Sequence, residues 1–170
     1  MRYSETKLVG FRNFANKIWN ISRFLNQSIT PHTLAHAPHS THHLPKEFAR
    51  FIKEYNELLA HVTKDLEEFR LSQAAERLYA FTWHTFADKI IEMAKPYLKK
   101  NGHSVATQEA VSIFLITAWR DLLTLLHPFA PFVTEATYER LRELFGNKSE
   151  EFLIVSKWPE KLEVHHHRLR

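Results

Sequence analysis

From Leu8 to Gln27 the chain reads LVGFRNFANKIWNISRFLNQ, and its apolar residues are spaced for one long helix. At about 100° per residue, Phe11, Phe14, Ala15, Ile18, Trp19, Ile21 and Leu25 fall on one broad side. Arg12, Asn13, Asn16, Lys17, Asn20, Arg23 and Gln27 fall on the other, with no acid among them. A face that only has to be solvated usually mixes signs, because Glu four residues before Lys or Arg adds local stability. Here cations alternate with amides that both donate and accept hydrogen bonds. Phe24 projects into the same arc, beside Asn20 and Lys17. An exposed aromatic among Arg and Asn suits a stacked, hydrogen-bonded single-stranded base. The plainer reading is an amphipathic helix with Phe24 tucked under a neighbour.

The helical period recurs along the chain, and only three glycines interrupt it: Gly10, Gly102 and Gly146. So few turn-makers argue against a many-stranded β fold. The first helix is expected from near Ser4 to about Ser28, with Thr30-Pro31 ending it. Gly10 inside it costs stability, so it marks either close packing or a break. Helix two starts near Pro45, as proline does at a first helical position, and runs to about Leu66. Its outer face, with Lys53, Glu54, Glu57, Lys64, Asp65 and Glu67, mixes signs as a solvated surface does. Helix three starts from Ser72 as N-cap and runs to Asn101-Gly102, kinked or ended by Pro96. Helix four opens at Thr107 and stops at His127-Pro128. Helix five starts at Pro131 or Thr134 and reaches Phe145, with Gly146 as its C-cap. FLIVSKWP reads as an extended strap laying Phe152, Ile154 and Trp158 on the rest. The whole is an all-α antiparallel bundle of about five helices, spanning residues 1–160, with 161–170 as a tail outside the fold.

Two histidine groupings invite chemistry. The loop PHTLAHAPHSTHHLP carries His32, His36, His39, His42 and His43, but no Cys or acid and no closed zinc spacing. It reads as a polar loop, not a metal site. His84 and Asp88 stand four apart, the spacing of a general-base pair, yet no Cys exists in the chain and no Ser elbow accompanies them. That pair reads as polar side chains inside the bundle. The absence of Cys also excludes disulfide scaffolds and zinc-thiolate sites, and fits a cytoplasmic setting. The formal charge of +4 with neutral His permits a nucleic-acid partner without requiring one.

Four blocks, in order, carry a family resemblance: GFRNFANKIWNISRF, AERLYAFTWHTFADKIIE, LLHPFAPFVTE and LIVSKWP. Together they resemble the anticodon-binding domain of class I aminoacyl-tRNA synthetases, in its valyl form, over roughly residues 6 to 159. The resemblance implies a helical bundle that grips the anticodon stem-loop of valine tRNA, with Arg12, Asn13, Asn16, Lys17, Asn20, Arg23 and Phe24 facing the RNA. It also implies a parent enzyme in which a catalytic domain uses ATP. The chain itself has no HIGH-type or KMSKS-type signature and no Gly-rich phosphate loop, so it is expected to bind and not to catalyse, without a cofactor of its own. The break is followed by TEATYERL where the family carries a TEELW-like run, and Lys89 replaces a customary aromatic; both bear on the subgroup. Two other readings compete: a helical protein–protein module of the same fold, and the equivalent domain of an isoleucyl or leucyl enzyme. A docking face for protein should be depleted of charge at its core, whereas the arc on helix one is cationic.

Overall fold

The computed structural model describes residues 4–30, 44–99, 102–145 and 152–163. Among these residues every regular element is helical: α1 (Glu5–Ser28), α2 (Phe48–Glu67), α3 (Leu71–Ala80), a π-helical segment (Phe81–Ile90), α4 (Ile91–Leu98), α5 (Val105–Leu126) and α6 (Pro131–Arg142). Short 3-10 turns follow at Glu143–Phe145 and Leu153–Val155. Because α3, the π segment and α4 run on as one rod over residues 71–98, the bundle has five rods, as the spacing of the apolar residues predicts. The His-rich loop, Gly146 and residues 164–170 lie outside the described residues.

The directions of the rods follow from their buried contacts. Phe14 of α1 packs on Tyr79 at 4.7 Å between ring centres, and ten residues on Lys95 reaches over Phe24, so α1 and the 71–98 rod run the same way. The second rod runs opposite, since Tyr55 meets Phe81 while Phe48 meets Tyr97. In α5, Phe114 lies against Phe48 and Asp121 against Tyr55, so α5 runs with α2. Finally α6 returns beside α1, where the Arg140 guanidinium lies 4.2 Å over the Trp19 ring and Asn26 donates to the Arg140 carbonyl. Phe48, Phe51, Phe86, Phe114 and Trp119 fill the centre, and tilted or edge-on ring pairs dominate there.

Two buried polar ties lock rods together. Trp119 Nε1 donates to Ser22 Oγ at 2.7 Å, which satisfies the indole and joins α5 to α1. The Tyr55 hydroxyl donates to Asp121, whose other oxygen accepts two hydrogen bonds from Arg120. Burial pushes the Asp121 carboxyl up, and the Arg120 charge and hydrogen bonds oppose it.

Several boundaries differ from the sequence reading, each for a local reason. Helix three begins at Leu71, after Arg70, and Ser72 already lies within its first turn. Ser104, not Thr107, caps α5: its Oγ accepts from the Thr107 amide. Pro96 does not itself end its helix: it sits within the last turn, which runs on to Leu98. α1 passes through Gly10 without a break, and nothing lies within 4 Å of where a Cβ would stand, so close packing is not its reason either. In the C-terminal strap Leu153 is the buried anchor, while Phe152 and Ile154 point outward. Trp158 does reach the bundle, donating from Nε1 to Thr63 at 3.0 Å. The strap continues to Leu162, whose amide and carbonyl both bond the Asn56 side chain at 2.9 Å.

Candidate nucleic-acid interface

The outer face of α1 is a row of polar side chains that find no partner among the described residues. Arg12, Asn13, Asn16, Asn20, Arg23 and Gln27 are exposed. None of them makes a hydrogen bond or ion pair among the described residues. From Arg12 to Gln27 this row is about 22 Å long at 1.5 Å per residue. Asn16, Asn20, Arg23 and Gln27 step by four, three and four, so their tips share one line. Free amides and guanidinium groups held at fixed spacing on a rigid rod form a surface prepared for an external hydrogen-bonding partner.

Lys17 and Phe24 border this row on the side of the 71–98 rod, and both are half-buried. Lys17 Nζ makes an ion pair with Asp88 at 2.9 Å and lies 5.1 Å from the centre of the Trp83 ring. Phe24 packs one side against the core, and Lys95 Nζ stands 5.8 Å from its ring centre. Glu92 holds that ammonium by an ion pair. The two readings of Phe24 therefore combine: it is a packed residue with one face at the surface. Below Lys17, Phe14, Tyr79 and Trp83 stack into an aromatic step. Lys95, Glu92, Tyr79 and Trp83 had no signal in the α1 pattern, because they join the site from another rod.

Two expectations are corrected here. Phe11 was placed with the apolar side of α1 but is 68% exposed. The His84–Asp88 pair is not inside the bundle; both side chains are largely exposed, their atoms are 3.8 Å apart, and Asp88 is committed to Lys17. The described residues hold no group of three His, Asp or Glu side chains able to bind a metal, and no described helix is long and apolar enough to cross a membrane.

The family profile described as "Anticodon-binding domain of tRNA ligase" matches residues 49–169, more than half of the chain. The chain belongs to this anticodon-binding domain family. Its relatives agree. A protein named valine–tRNA ligase from Caulobacter vibrioides is 36% identical over 160 residues, covering 94% of this chain and 17% of its own length. Proteins of the same name from Syntrophotalea carbinolica and Pelagibacter ubique are 34% and 32% identical, each covering 94% of this chain and 18% of the relative. The chain thus spans less than a fifth of the relatives it matches. Within the anticodon-binding domain the profile match begins in α2, so α1 and its polar row are carried by the longer alignments to the relatives.

Proposed function

We propose that this chain recognises the anticodon stem-loop of valine tRNA for a valine–tRNA ligase, with the outer face of α1 as the reading surface. The observation that carries this is the row Arg12–Gln27, polar and unpaired among the described residues, beside the half-open ring of Phe24. In this reading Phe24 offers a stacking face to one unpaired base. Asn16, Asn20 and Arg23 meet base edges, Asn with its paired donor and acceptor, Arg with a two-pronged fork. Arg12, Asn13 and Lys17 meet the backbone, which positions the loop without reading it. Lys17 exchanges the Asp88 carboxylate for a phosphate, so its contribution is a difference between two anionic partners. Adenylation of valine with ATP and transfer to tRNA belong to the remainder of such an enzyme.

Titration of the chain with the valine-tRNA anticodon stem-loop, and with an anticodon-swapped copy, tests this across a range of salt. Affinity should fall as salt rises, because phosphate contacts release counterions, and the swapped loop should bind more weakly at every salt. Equal binding of the two loops, or none at low salt, refutes the reading.

A further inference from the structure

The outer face of α1 is graded across its width. At about 100° per residue, Trp19, Arg12 and Arg23 come first on the side towards α6. The amides of Asn16, Gln27 and Asn20 hold the middle, and Phe24 and Lys17 close the edge towards the 71–98 rod. The two edges differ in how their charge is held. On the rod edge Lys17 is paired with Asp88 and Lys95 with Glu92, so each cation there is already neutralised. On the α6 edge Arg12 and Arg23 are exposed, with no carboxylate partner among the described residues.

α6 adds a third cation to that edge. The Arg140 guanidinium lies 4.2 Å over the half-buried Trp19 ring, and the Arg140 carbonyl accepts from Asn26. Backbone and side chain of Arg140 are thus both tied to α1. The residue is exposed, and its guanidinium makes no ion pair among the described residues. A guanidinium stacked on an aromatic keeps its N–H donors in its own plane, where they stay free for a second partner. At 1.5 Å per residue, the level of Trp19 is about 10 Å along the axis from Arg12 and about 6 Å from Arg23.

We propose that the backbone of the bound RNA loop lies along the α6 edge, where Arg140, stacked on Trp19, holds a phosphate, and that the bases reach from there across the amides towards Phe24. This rests on the reading of α1 as an anticodon-loop surface and goes beyond it by fixing which way round the strand lies. A phosphate on the rod edge has to displace Asp88 or Glu92 from a lysine. On the α6 edge it displaces only water, and it meets a planar fork suited to two parallel hydrogen bonds. Arg12 continues the phosphate contact along the strand, and Arg23 stands one step further in, where backbone gives way to bases.

The test titrates this chain with the valine anticodon stem-loop and its anticodon-swapped copy at several salt concentrations. The parent is compared with Arg140→Gln, Arg140→Lys, Arg12→Gln and Lys17→Gln, each checked by circular-dichroism melting. One phosphate contact fewer lowers the slope of log affinity against log salt by about 0.7 for a single strand, which is about fivefold in affinity per decade of salt. Arg140→Gln and Arg12→Gln should each show that loss, equally for both loops, because a phosphate contact carries no sequence information. Arg140→Lys should keep the slope, and Lys17→Gln should change it less than Arg140→Gln does. The placement is overturned if Arg140→Gln leaves the slope unchanged, if it alters the preference between the two loops, or if Lys17→Gln changes the slope as much. It is also overturned if Arg140→Lys loses as much slope as Arg140→Gln, which would make Arg140 a tie to Trp19 and nothing more. A parent that binds both loops equally, with a slope that still falls in Arg140→Gln, would refute the anticodon reading and leave the backbone contact standing; a parent that binds neither loop refutes both.

Discussion

Replacing Phe24 by Leu should separate the two jobs of its ring. Towards the core, Leu keeps most of the apolar volume, and such swaps usually cost under about 1.5 kcal/mol; the half-buried position of Phe24 puts the cost below that bound. Towards solvent, Leu has no flat face. Base–aromatic stacking is worth about 1–3 kcal/mol. The Lys95 ammonium already lies 5.8 Å from the ring centre, an exposed cation–π contact of about 0.5–1 kcal/mol that an incoming base must displace or share. The net loss on substitution is then about 1–2 kcal/mol, or roughly 5- to 30-fold in Kd. Fluorescence anisotropy with a labelled valine anticodon stem-loop at fixed salt measures the affinity, and circular-dichroism melting measures the fold. Unchanged affinity in a variant that melts like the parent would show that Phe24 serves packing alone and that the reading surface lies elsewhere.

Gly10→Ala should stabilise the chain by about 0.5–1 kcal/mol, because α1 is unbroken there and a Cβ meets nothing; a lower urea midpoint would contradict this. Ser22→Ala should cost about 1–3 kcal/mol, since it leaves the buried Trp119 indole N–H without its acceptor, and chemical unfolding would read the loss. Asp65 is held below its ordinary pKa first by the hydrogen bonds from Arg70 and then by that from Arg77, against the effect of burial. A depressed carboxylate contributes stability that is present above its unfolded value near 3.9 and lost as pH falls through the lower folded value. The urea midpoint should therefore drop below about pH 4, and Asp65→Asn should lower the midpoint at pH 7 while flattening that acid drop.

The bundle was legible because its rods are long and keep the 3.6-residue period that core burial requires. Ile18, Ile21, Leu25, Phe48, Phe51, Tyr55, Leu58 and Leu59 are all buried where that period puts them. Phe11 breaks the pattern because a projection down the axis has no knowledge of where a helix outruns its neighbours. Ser22 carried no apolar signal; its burial depends on a tryptophan 97 residues away in sequence. The strap offered alternate residues, and local spacing could not say that Leu153 and not Phe152 or Ile154 faces inward. Phe69 was hidden for another reason: a helix stop is read from Gly or Asn, and here the left-handed position holds neither. At the candidate site the polar arc of α1 was visible from its missing acids. The lysine beside Phe24 was not, since it comes from α4 and depends on how two rods lie side by side.

The wide-wound stretch from Phe81 to Ile90 sets an angular phase between the two ends of its rod. Upstream of it, Arg77 is aimed at Asp65; downstream, Lys95 is aimed over Phe24 and Tyr97 at Glu47. One residue is worth about 100° of rotation on a helix. Removing a single residue from this stretch, and letting it tighten to ordinary winding, would therefore swing everything after it by roughly a quarter-turn or more relative to everything before. Both halves could stay helical, yet they could no longer meet their partners together. A gap or insertion in this decade should thus be rejected more firmly than one in an exposed loop, and its tolerated length is a property of the side that borders α1 as much as of the core.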